Sequence, residues 1–208
     1  MSAPTVAVGA TRTSAPVSSV ADLAYHPSLR DRMRVRPRRK TLARMRGAVE
    51  PEGRSLLDLG GGTGATTVVF GEGAREIVVL EPNEKKVARG KAANAPVAFV
   101  SGVAESIPFE SGQFDRVTSH LSFHHFSDPE RSCREARRVL VDGGRFVIFD
   151  LRRGSPMVRW FSLFAGPSHH APARFPTPTE LERLLRSVGF RKVVHEELGP
   201  GILTVATR

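Results

Sequence analysis

The chain's 208 residues suit one domain with a core of ordinary size, and 25% charged against 40% hydrophobic residues is a globular composition, so one domain without a second, substrate-binding one is expected. A lone Cys133 excludes an intrachain disulfide, no apolar run approaches the roughly 18 residues of a membrane span, and no charged-then-apolar secretion signal opens the chain, so a cytoplasmic location is expected. The net charge of +10 is uneven: residues 1–50 hold ten Lys/Arg against Asp22, Asp31 and Glu50, a balance of +7, which leaves +3 for the rest.

Residues 1–22, mostly Ser, Ala, Thr, Val and Pro, cannot bury enough surface to offset chain entropy and predict a flexible tail ahead of one domain over 23–208. From about Pro27 to Val49, Leu29, Met33, Leu42 and Met45 recur at helical spacing, broken at Pro37, so residues 23–50 read as an N-terminal helical cap. Its arginines would suit nucleic acid or an anionic membrane surface, but a solvated helix face accounts for them more simply. The apolar run Leu56-Leu57-Asp58-Leu59 then meets Gly60-Gly61-Gly62-Thr63-Gly64, with a helix predicted over Ala65–Phe70. Glycines at alternate positions permit a sharp turn and leave no side chain where a nucleoside would lie. A plain strand-to-helix turn is the bland alternative.

Strands are predicted at Glu76–Leu80, Val97–Val100, Phe114–Ser119, Arg145–Asp150, Val193–Glu197 and Ile202–Ala206. Between them lie helices from Asn83 to about Ala93, from Pro129 to Val139 before a Gly143-Gly144 stop, and from Pro178 to Val188 before Gly189. Alternation of this kind predicts an α/β, Rossmann-like doubly wound, mostly parallel sheet with helices on both faces and an antiparallel C-terminal strand pair. Such sheets take ligands beyond their carboxyl ends, where strand order reverses. The tips to watch are Asp58–Gly64, Glu81, Gly102–Glu105 and Ser119–His125, and Glu81 is placed to accept hydrogen bonds from both hydroxyls of a ribose.

The order and spacing of Leu57-Asp58-Leu59-Gly60-Gly61-Gly62-Thr63-Gly64, Leu80-Glu81-Pro82-Asn83, Gly102 to Phe109, Phe114-Asp115-Arg116-Val117, Phe123-His124-His125-Phe126-Ser127-Asp128 and Arg138 to Gly144 resemble the class I S-adenosylmethionine-dependent methyltransferases. Within them the chain resembles the ubiquinone and menaquinone biosynthesis group, the methyltransferase type 11 domain, strongly over about residues 50–150. The resemblance implies S-adenosyl-L-methionine as cofactor and S-adenosyl-L-homocysteine as product. It further implies a glycine loop under ribose and methionine, Asp58 attracting the ammonium, Glu81 on the ribose, Pro82 on the adenine face and the Ala104 backbone at the adenine edge. The contacting set so implied is Asp58, Gly60, Gly61, Gly62, Gly64, Glu81, Pro82, Val103, Ala104, Glu105 and Ser119. Three departures stand out. Val103 replaces the usual adenine-facing Asp, leaving that contact missing or passed to Glu105 or Ser101; Gly61 replaces a frequent Cys, and Asp142 a usual Pro.

Methyl transfer from a sulfonium requires alignment and exclusion of water more than a catalytic motif. A base is needed only for acidic acceptors, and His124 or His125 could serve, against the plainer role of bracing the scaffold. His120, His124 and His125 lie close in sequence, with His169 and His170 further on, but without a nearby Cys no metal is expected. A short-chain dehydrogenase would need a Tyr-x-x-x-Lys pair, whereas the only tyrosine, Tyr25, precedes the loop. A non-catalytic cofactor-binding module remains the rival of a different class. Base N-methylation is disfavoured, because Ser119-His120-Leu121-Ser122-Phe123 replaces the Asn/Asp-Pro-Pro-aromatic run of nucleic-acid amino methyltransferases. A possible lid over 152–175, aromatic from Met157 to Phe164, points to a small apolar acceptor.

Overall fold

The computed structural model describes residues 39–156, 158 and 175–208. The expected tail, the first part of the helical cap and the Trp160–Phe164 lid segment lie outside the described residues. The helices within them are α1 (Arg39–Val49), α2 (Thr67–Phe70), α3 (Glu84–Ala92), α4 (Pro129–Val139) and α5 (Pro178–Ser187). The strands are β1 (Ser55–Leu59), β2 (Glu76–Leu80), β3 (Ala98–Val100), β4 (Phe114–His120), β5 (Leu140–Leu151), β6 (Lys192–Leu198) and β7 (Gly201–Thr207). They form one sheet in the order β3-β2-β1-β4-β5-β7-β6. The first five strands pair in parallel, and β7 runs antiparallel to both β5 and β6. Strand order therefore reverses between β1 and β4, which places the ligand crevice at their carboxyl ends.

The period of two along each strand splits the core into two layers. Leu57, Leu59, Val78, Leu80, Phe146 and Ile148 share one cluster with Cys133, Ala136 and Val139 of α4 and Leu181 and Leu185 of α5. Leu56, Val147, Phe149 and Leu203 pack on the opposite side against Leu42, Met45 and Val49 of α1 and against Phe70. Capping sets the helix starts. Asn83 accepts from the Lys86 N–H, Asp128 accepts from the Arg131 N–H, and Thr177 with Glu180 closes a capping box.

Two boundaries differ from the sequence-based expectation by more than one residue. Gly143-Gly144 does not stop α4, because β5 begins directly at Leu140. The pairing moves from Phe114↔Leu140 to Arg116↔Arg145, so that β5 bulges, and Gly143 takes φ +75° within it. Helix α2 starts at Thr67 rather than Ala65, since the Gly64 N–H bonds to the Gly61 carbonyl and the turn runs on.

Two arginines close the carboxyl end of α1. Arg116 Nε donates to the Val49 carbonyl and Arg145 to that of Ala48, and both guanidinium groups approach Glu50. Burial, with Arg54 and Arg145 nearby, pulls the Arg116 pKa down to about 10 against the opposing pull of Glu50 and Asp115.

Candidate functional site

The β1–α2 loop is fastened from both sides. The Gly60 N–H donates 2.7 Å to the Leu80 carbonyl, which ties the turn to the end of β2. Gly60, Gly62 and Gly64 have φ of +72°, +65° and +74°, a region closed to most side chains. Their surroundings differ. A Cβ on Gly60 would fall 2.6 Å from Ser122 Cβ, and one on Gly64 would press on Val97, so both serve close packing. A Cβ on Gly62 would meet only Lys86 Cδ at 3.9 Å, so the space in front of this glycine is open.

Glu81, at the tip of β2, is 2% exposed. Its Oε2 accepts the Gly62 N–H at 2.9 Å, its Oε1 accepts the Asn83 N–H at 3.1 Å, and Lys86 Nζ stands 3.4 Å away. The carboxylate thus floors a cleft of about 390 Å³ whose walls include Gly60, Pro82, Val103, Ala104, Glu105 and His125. Val103 is 44% exposed there, at the position where the resembled family usually carries an Asp. Glu105 also borders the cleft, but its Oε1 accepts from Ser127 N–H and Oγ and from Asp128 N–H. Burial opposes its ionisation, and those hydrogen bonds outweigh burial and hold its pKa below the usual carboxylate range.

Asp58 lies deeper. It is fully buried, with Oδ1 accepting from Thr118 Oγ1 at 2.7 Å and Oδ2 from Thr67 Oγ1 at 2.6 Å. Burial raises its pKa from 3.8 to about 6, partly countered by the two threonines and reinforced by the charge of Glu81. Gly61 accommodates this arrangement, because a Cβ there would fall 2.5 Å from Asp58 Oδ2. Ser119 is buried behind the loop, its Oγ 2.8 Å from that of Ser122, which in turn donates to the Leu59 carbonyl.

A second cavity of about 340 Å³ adjoins the first, and Phe126 and Ser127 border both. Its other walls include Phe123, His124, Pro129 and Leu181, with Arg153 and Glu180 paired at 2.9 Å. His124 faces this cavity and His125 the first, and their ring centroids are 3.9 Å apart. His124 Nδ1 lies 2.8 Å from Asp150 Oδ1 at the end of β5. Among the described residues no group of three or more His, Cys, Asp and Glu could hold a metal ion. Nor, among them, is any helix long and apolar enough to cross a membrane.

The residues present fit an adenosyl ligand: open space before Gly62, a buried acid beneath it, and an exposed Pro82 beside it. A family profile described as a methyltransferase domain matches residues 57–148. An uncharacterized methyltransferase of Synechocystis is 32% identical over 158 residues, 74% of this chain and 74% of that protein. The chain belongs to the class I S-adenosylmethionine-dependent methyltransferases. An uncharacterized protein of Mycobacterium tuberculosis is 33% identical over 186 residues, 87% of this methyltransferase chain, which spans 63% of that relative's length. A rice chloroplast protein named 2-methyl-6-phytyl-1,4-hydroquinone methyltransferase 1 is 32% identical over 164 residues, covering 74% of this chain and 47% of that one. The crystal structure of YcgJ from Bacillus subtilis shares the fold, with a TM-score of 0.68 at 20% identity over 82% of this chain and 98% of that one.

Sequence reading missed several residues of the candidate site. Ser122 braces Gly60, Lys86 stands over Glu81, and Asp150 holds His124. Asp150 carried the signal that marked Glu81, an acid closing an apolar strand, but was read only as a strand end.

Proposed function

We propose that this chain transfers a methyl group from S-adenosylmethionine to a small, largely apolar acceptor. The second cavity carries this reading: it abuts the cofactor-sized cleft across the His124–His125 pair, and aromatic and aliphatic side chains supply most of its walls. In this proposal Glu81 accepts from the ribose hydroxyls, Pro82 packs on the adenine, and the Val103–Ala104 backbone meets the adenine edge. Gly60–Gly62 leave room for the ribose and methionine, and Asp58 attracts the ammonium. Gly61, Gly64 and Ser119 also shape and brace the loop, and Glu105 borders the cleft beside Val103. The cofactor, when bound, supplies an electrophilic methyl on a positively charged sulfur. The chain's own share is to align the acceptor, exclude water and hold a base, for which His124 and His125 are the candidates.

The rice relative's name includes a hydroquinone acceptor. A ring of that kind combines an apolar body with ionisable hydroxyls, and it suits a cavity whose charged groups, Arg153 and Glu180, neutralise one another. Methyl transfer from labelled S-adenosylmethionine to a panel of hydroquinones, phenols, amines and thiols, alongside RNA and DNA, tests the proposal. Labelling of a small acceptor that is insensitive to salt is expected. Transfer that requires nucleic acid and falls steeply with salt would overturn it.

A further inference from the structure

The carboxylate of Asp150 is 1% exposed and converges on one residue from two directions. Its oxygens lie 2.8 and 2.9 Å from His124 Nδ1, and Oδ2 also accepts the His124 backbone N–H at 3.0 Å. The Leu151 N–H donates to Oδ1 at 2.7 Å, which fixes the carboxylate itself. The His124 ring is further held between His125, at a centroid distance of 3.9 Å, and Phe175 at 4.5 Å. Neither ring flip nor a change of side-chain rotamer is compatible with these contacts. A carboxylate only accepts, so the nitrogen facing it carries the hydrogen and the lone pair of the neutral ring resides on Nε2.

We infer that Asp150 is a positioning residue that holds His124 as a base through Nε2, and that the acceptor is one that must lose a proton, a phenolic or enolic hydroxyl or the carbon such a hydroxyl activates. The inference rests on the small-acceptor reading above. Nε2 takes the proton from the acceptor's O–H bond, the electron pair so released forms the new bond to the methyl carbon, directly from oxygen or through the ring carbon, and the pair of the broken S–CH3 bond stays on sulfur as a neutral thioether. Where carbon is the nucleophile, its own proton then passes to water and the ring oxygen regains one, which restores the phenol. The imidazolium, paired with Asp150, returns its proton to water. Among the described residues, the other charged groups bordering the cavity, Arg153 and Glu180, are paired with each other, and His125 is the titratable group beside the ring, with Glu81, Lys86 and Glu105 also lining the cleft side. A tertiary amine or thioether acceptor would need none of this apparatus.

Long-range nitrogen–proton correlation spectra of the uniformly 15N-labelled full chain, without ligand, read the tautomer directly. The neutral His124 ring is expected to carry its hydrogen on Nδ1, and Asp150→Asn to lose that preference. Hydrogen on Nε2 in the wild type would overturn the inference, and this reading stands even if the variant fails to fold. With a hydroquinone acceptor, Asp150→Asn should lower kcat about a hundredfold, the usual scale of base catalysis, with KM little changed. The loss should shrink toward pH ~10, where a phenol ionises unaided. An unchanged kcat, or an equal loss at every pH, contradicts the role. If S-adenosylhomocysteine binds in a calorimeter but no small acceptor is labelled, the acceptor reading and the acceptor class fall together, while the tautomer still decides what Asp150 does.

Discussion

Replacing Asp58 by Asn separates what this residue costs the fold from what it supplies to a ligand. Its pKa rises from 3.8 to about 6 on burial, so between those values the folded state binds more protons than the unfolded one. The stability contributed by the protonated form is full below about 3.8 and lost as pH rises through about 6. At 1.36 kcal/mol per pKa unit, the ionised carboxylate costs about 3 kcal/mol at pH 8. Asn carries no charge and can accept from one threonine hydroxyl while donating to the other, at a loss of about 1 kcal/mol in hydrogen bonding. Asp58→Asn should therefore be more stable than wild type by about 2 kcal/mol at pH 8, about 4–8 °C in Tm for a chain of this size. At pH 4 the advantage should vanish. Paired urea titrations at the two pH values cancel every other titrating group. A variant less stable at pH 8, or a difference independent of pH, would refute the reasoning. In the same variant, affinity for S-adenosylmethionine should fall, since the charge proposed to attract its ammonium is gone.

Gly62→Val puts a branched side chain at φ +65° and into the open space before the glycine. It should abolish S-adenosylhomocysteine binding in a calorimeter and cost about 1–3 kcal/mol of stability through backbone strain, read by chemical denaturation. Arg116→Ala removes the guanidinium that meets the Val49 and Asp115 carbonyls beneath α1. A loss of about 2–4 kcal/mol is expected in denaturant titration, from orphaned acceptors and lost packing.

The sheet was legible because each strand is a short apolar run closed by turn residues, and the helices because Asn83, Pro129 and Pro178 mark their starts. Glu81 stood out for a related reason: a single acid ends an apolar strand and precedes Pro82. The start of β5 was hidden, since Val141-Asp142-Gly143-Gly144 has the composition of a turn, and only pairing with β4 makes it a bulged strand. The partners of Asp58 were equally hidden. Thr118 sits 60 residues away, and only the register Asp58↔Thr118 between β1 and β4 sets the two side by side. Asp150 meets His124 for a comparable reason, because the pairing of His120 with Phe149 brings the turn after β4 against the end of β5.

The central claim is that the cleft above Glu81 takes S-adenosylmethionine through its ribose. Calorimetric titration of S-adenosylhomocysteine into wild type and Glu81→Ala, with melting curves to show that both are folded, tests it most directly. The account predicts binding to the wild type and a loss of about 1–3 kcal/mol in the variant, since two charge-assisted hydrogen bonds to the ribose disappear. Equal affinities, or no binding to the folded wild type, would contradict it.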